Sequence, residues 1–198
     1  MTGGVDLAEI LVHARRAYGD LQNPDYGFFV DPPRDRSCFD WLWALLGVRT
    51  DPEDADAETP ALPPWCVAID QLRSFLRAED WTGPDDVSYA YTLTTPRPGG
   101  GTWLLWLSGV GPFALLIYVP PDRELAERAH VRTGPWPGNP PEAARVFAIL
   151  RDAGVTLLRA ADVEATVAEF RPWHGEVPAS VFTVLFSEDE LPWRHANF

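Results

Sequence analysis

The stretch that most constrains this chain is residues 87–119, where three strand-forming runs follow one another. In the first run, residues 87–95, apolar side chains alternate with small or polar ones, which indicates a strand with one buried face. The runs 102–107 and 112–119 are apolar on both faces, which is typical of inner strands covered on both sides. Their connections are short and rich in Gly or Pro, which favours hairpins over crossovers. The stretch therefore predicts an antiparallel β-meander at the centre of the core.

Segments with helical periodicity both precede and follow this stretch in the sequence. Helices are predicted over residues 6–18, 38–46, 65–78, 120–129, 140–153 and 162–170, with Asn139 as an N-cap. Residues 155–158 are expected to be extended, and residues 179–186 fit a helix or a strand equally well. The predicted fold class is α+β, with a central antiparallel β-meander packed with several helices. At 198 residues the chain is about one domain long, so we expect a single domain over residues 1–198.

The strongest shift in composition lies at residues 50–64, where five acidic side chains stand among alanines and prolines. These are Asp51, Glu53, Asp54, Asp56 and Glu58. An acidic, proline-flanked stretch of this kind is typical of a mobile, solvated loop. It could also serve as an electrostatic attractant for a cationic partner.

The net charge of −13 limits the classes of partner, and all sixteen basic side chains are arginines. An acidic excess disfavours binding of nucleic acid through its phosphates, and it disfavours anionic membranes. It favours solubility, or the steering of a basic protein partner. No apolar run approaches the ~20 residues that span a bilayer, and the N-terminal residues lack the pattern of a signal peptide. We therefore expect a cytoplasmic location.

The residue types that carry most enzyme chemistry are scattered. Cys38 and Cys66 are too few for a disulfide scaffold or a four-cysteine zinc site, and their apolar surroundings predict burial. His174 stands near Glu169 and Glu176, a combination that could act as a general base. A hydrolase built on that histidine is one alternative, but no catalytic, cofactor or metal site is predicted.

One set of residues near the C-terminus resembles a known class of proteins. The set is Leu150, Ala153-Gly154, Leu157-Leu158, Leu185-Phe186 and Leu191-Pro192-Trp193. It resembles C-terminal patterns of the small cytoplasmic immunity proteins that accompany bacterial polymorphic toxins, whose acidic, single-domain α+β layout is similar as well. The resemblance implies a protein that is not an enzyme and that binds a cognate, basic nuclease-type toxin and occludes its active site. A non-catalytic adaptor or structural domain is the other alternative.

The sequence also suggests residues that would contact such a toxin. The five acids at positions 51–58 are candidates for steering it, because rim charges mainly accelerate association. Affinity usually rests on a few aromatic anchors. Trp136, flanked by two prolines and expected to be exposed, and Trp193 are the candidate anchors.

Overall fold

The computed structural model of the protein describes residues 5–18, 63–82, 87–168, 179–187 and 191–194. The five acids at positions 51–58 and the helix predicted at residues 38–46 lie outside these ranges.

The core of the fold is a five-stranded mixed sheet in the order β1-β2-β3-β4-β5. Its strands are β1 (Arg77–Asp80), β2 (Ser88–Thr94), β3 (Thr102–Ser108), β4 (Phe113–Val119) and β5 (Thr156–Leu157). Strands β2, β3 and β4 form the predicted antiparallel meander. Strand β1 adds antiparallel to β2 at one edge, and β5 adds parallel to β4 at the other. The predicted α+β class and its central meander are confirmed.

The helices and a small second sheet surround this core. The α-helices are α1 (Leu7–Tyr18), α2 (Val67–Arg73), α3 (Ala143–Asp152), α4 (Ala160–Val163) and α5 (Val181–Leu185). Two 3-10 turns span Pro64–Cys66 and Arg128–His130, and β6 (Thr166–Val167) pairs with β7 (Ala179–Ser180). Among the described residues, no helix is both long enough and apolar enough to cross a bilayer.

Helices cover both faces of the sheet, as the two doubly apolar runs predict. Side chains alternate along a strand, so Trp103 and Trp106 of β3 point to opposite faces. On one face Trp103 contacts Phe147 of α3. On the other, Trp106 contacts Phe182 of α5, and helix α1 reaches the sheet there through His13.

The predicted helix at 65–78 is wrong in its second half. The helix ends at Arg73, and residues 77–80 form the edge strand β1. The periodicity of this segment fits a helix, but the backbone groups along the edge of β2 accept a further strand. Pairing with the sheet therefore overrides a local preference that is weak for each residue.

Three other helix predictions need correction. The helix predicted at residues 120–129 is wrong, because these residues contain only the start of the 3-10 turn at Arg128–His130. Helix α3 begins at Ala143, so Asn139 is not its N-cap; the side-chain oxygen of Asn139 instead accepts a hydrogen bond from the Trp136 N–H. Helix α4 ends at Val163, where the chain turns to form β6. Residues 179–186, left open between helix and strand, contain both.

Candidate functional site

Trp136 packs into an aromatic cluster on the face of the sheet that α3 covers. Its ring centroid lies 5.8 Å from that of Trp103, 5.3 Å from Tyr118 and 6.4 Å from Phe147. The guanidinium carbon of Arg132 lies 4.5 Å from the centre of the Trp136 ring. The side chain is partly buried against the core, so the expectation that it is exposed is wrong. Its role as an anchor for a partner stays a prediction.

The polar groups around this cluster are only partly paired, since Trp103 Nε1, Arg132 Nε and Glu142 Oε1 are buried without a hydrogen-bond partner. The Arg132 guanidinium donates hydrogen bonds to the carbonyl oxygens of Ala129 and Val131, and burial lowers its pKa. The Glu142 side chain is only 8% exposed, and its carboxylate lies 3.8 Å from the Arg97 guanidinium. Burial raises the pKa of the Tyr118 hydroxyl, and the nearby charge of Glu142 adds to the shift. A phenol with a raised pKa stays protonated at neutral pH, so the Tyr118 hydroxyl is not a base there.

Trp193 fixes the last described segment of the chain to the rest of the fold. Its indole N–H donates to Glu164 at 3.2 Å, and Arg128 donates two further bonds to the same carboxylate, at 2.7 and 2.8 Å. These hydrogen bonds, chiefly those from Arg128, lower the pKa of Glu164. Leu191 is buried two residues earlier. Trp193 therefore has an intramolecular partner, and its proposed contact with a toxin stays a prediction.

A third cluster, beneath α2, has no counterpart in the sequence analysis. The rings of Tyr89 and Tyr91 stack at 6.2 Å, and Arg73 lies 5.0 Å above Tyr91 and 3.8 Å from Asp80. Burial raises the pKa of both tyrosines, and burial with the charge of Asp70 raises that of Cys66 to about 12. The spacing of the two tyrosines was visible in the sequence, but their proximity to Cys66 depends on the tertiary fold. Because these groups are protonated at neutral pH, none is a ready nucleophile.

The described histidines have structural surroundings. The ring of His13 meets Phe113 edge-on at 5.3 Å. The buried His130 accepts a hydrogen bond at Nδ1 from the backbone N–H of Glu127, at 3.1 Å, so its proton is on Nε2. Within the described ranges, no group of three or more His, Cys, Asp or Glu side chains could hold a metal ion. The remaining candidate residues for chemistry lie outside those ranges: Cys38, Glu169, His174 and Glu176.

The net charge of −13 comes from 29 acids and 16 arginines, and five of the acids fall within the eight residues 51–58. These five, predicted to steer a partner, lie outside the described residues.

No family model, curated protein or solved structure matches the chain. A functional conclusion has to rest on the chemistry and geometry of the chain itself.

Proposed function

We propose that this protein is an immunity-type binding protein that neutralises a basic bacterial toxin by covering the active site of the toxin. A nuclease-type toxin fits this role, because a basic site that binds phosphates also accepts carboxylates. The protein would act by occupying the active site of the toxin. Its residues would steer and contact the toxin rather than catalyse a reaction.

The observation that carries the proposal is the charge of the sequence. The chain has 29 acids against 16 arginines, and five of the acids fall within the eight residues 51–58. At physiological ionic strength, charges act over a Debye length of ~8 Å. Acids this close in sequence steer a basic partner better than the same number of charges spread along the whole chain.

The test compares two variants with the same change in net charge. In the first, five acids outside the described residues become amides: Asp51→Asn, Glu53→Gln, Asp54→Asn, Asp56→Asn and Glu58→Gln. In the matched control, five exposed acids of the described scaffold become amides: Glu9→Gln, Asp70→Asn, Asp122→Asn, Glu124→Gln and Asp152→Asn. Association and dissociation are measured by surface plasmon resonance against the toxin encoded beside this gene, at low and high salt.

The first variant should associate about tenfold more slowly and dissociate at an unchanged rate, because steering acts on encounter. The control variant should lose much less of the association rate. Co-expression with the toxin should protect bacterial growth for the unmodified protein. Failure to protect, or an association rate indifferent both to salt and to the first variant, would refute the proposal.

A further inference from the structure

Trp81 differs from the other tryptophans that the structure describes, because its side chain is 41% exposed. Among the side chains whose exposure the structure describes, it is the only large aromatic one that is this exposed. Trp136 and Trp193, the anchors suggested by the sequence, are partly buried and already in contact with other side chains. An exposed tryptophan is the residue type most often found at the energetic centre of a protein interface.

The position of Trp81 is fixed by a row of residues across the sheet. Its backbone N–H donates to the carbonyl oxygen of Ala90 at 3.0 Å, and Ala90 lies opposite Trp106 on β3. Because Ala90 is small, the two large rings meet across it, edge-on at 5.0 Å. Trp106 also contacts Phe182 of helix α5. The exposed indole is therefore held in place by buried aromatic rings. Because the Trp81 side chain is already ordered, a partner that binds it pays little conformational entropy for this side chain.

A carboxylate stands beside this indole on the same strand face. Glu79 precedes Trp81 by two residues, so their side chains point the same way about 7 Å apart along the strand. The Glu79 side chain is exposed, and no described residue forms an ion pair with it. Asp80 points to the opposite face, where it is held by Arg73. Arg77, two residues before Glu79, is exposed on the same face as Glu79 and carries the opposite charge.

The geometry points to Trp81 and Glu79 as a docking site for an arginine side chain of the basic partner. The planar guanidinium stacks on the indole face while its N–H groups pair with the Glu79 carboxylate. This assignment rests on the proposed function, because it takes the partner to be a basic protein. It adds the location of the contact and the residue type that the partner contributes. Lysine fits less well, because an ammonium neither stacks on an indole ring nor forms a bidentate pair with a carboxylate.

The site is tested with hexa-arginine and hexalysine peptides and the isotope-labelled full-length protein. Binding is followed by NMR at the indole N–H of Trp81 and the backbone amides of β1, in 150 mM salt. Hexa-arginine should shift these signals and bind more tightly than hexalysine. Trp81→Ala should weaken hexa-arginine binding about three- to fivefold, the range for an exposed cation–π contact. Trp81→Phe should weaken hexa-arginine binding less than Trp81→Ala does. The phenylalanine variant keeps the test valid if the alanine variant misfolds.

Substitutions of two charged residues on β1 should change the affinity for hexa-arginine in opposite directions. Glu79→Gln should weaken hexa-arginine binding by about twofold or more, whereas Arg77→Gln should strengthen it by removing like-charge repulsion. Leu125→Ala and Glu124→Gln, at exposed positions elsewhere, are the matched controls and should leave affinity unchanged. Equal binding by Trp81→Ala, or peptide-induced shifts that spare β1, would overturn the assignment.

The same variants separate this inference from the proposed function. If the toxin is neutralised equally by the unmodified protein and by Trp81→Ala, the docking site is wrong while the proposed function stands. If hexa-arginine binds at Trp81 and Glu79 but the protein protects bacteria from no neighbouring toxin, the proposed function is wrong. Protection that Trp81→Ala weakens, together with the peptide shifts, supports both.

Discussion

Trp136→Ala should destabilise the fold strongly, whatever its effect on a partner. A tryptophan side chain buries roughly 150–250 Å² when it packs fully. For the partly buried Trp136, about 150 Å² at ~25 cal/mol per Å² corresponds to about 3–4 kcal/mol. Loss of the Arg132 stacking adds about 0.5–1 kcal/mol. The expected loss of about 4 kcal/mol agrees with the roughly 3–5 kcal/mol typical of Trp→Ala at packed sites.

The loss is measured by urea unfolding and by thermal unfolding. For a chain of this size, about 4 kcal/mol corresponds to a decrease in Tm of roughly 8–16 °C. Trp136→Phe keeps a ring against Trp103 and Tyr118 and should lose about half as much. Leu125→Ala is the control: this side chain is 59% exposed, so its truncation should change stability by less than ~0.5 kcal/mol.

One combination of results would refute this reasoning. Suppose the free energy of unfolding of Trp136→Ala is within ~0.5 kcal/mol of that of the unmodified protein, the range of an ordinary surface substitution, while its complex with the toxin dissociates faster. The ring would then contribute to the partner rather than to the fold, and the aromatic packing would not carry the stability assigned to it. The free energy of unfolding and the dissociation rate of the complex should therefore be measured on the same preparation.

Two further predictions concern stability. The pKa of Glu164 is lowered in the folded state, so its contribution is present above the unfolded carboxyl value of ~4.3 and is lost as pH falls through the folded value. Glu164→Gln should make the acid side of the stability curve less steep in urea unfolding, and an unchanged slope would contradict this. Gly111→Ala would place a Cβ 2.8 Å from Phe113 and 2.9 Å from His13, and it should cost about 1–3 kcal/mol. Gly134→Ala, whose Cβ would meet nothing within 4 Å, is its control and should be close to neutral.

The meander could be predicted from sequence because its determinants are local. The alternation through Tyr89 and Tyr91 shows which side chains share a face, and the short connections leave little choice but hairpins. Strand β1 could not be predicted in the same way. A helix beyond Arg73 and a strand at residues 77–80 both suit the local pattern, and the free edge of β2, which decides between them, is a product of the tertiary fold.

The candidate site was harder to predict, because its contacts join distant positions. Trp136 stands between prolines, a pattern typical of an exposed loop, yet the rings that cover it come from β3, β4 and α3. Trp193 binds Glu164, 29 residues earlier, which nothing in the composition of either segment indicates. Trp81 follows the helix predicted at residues 65–78, and its exposure depends on its place at the edge of the sheet.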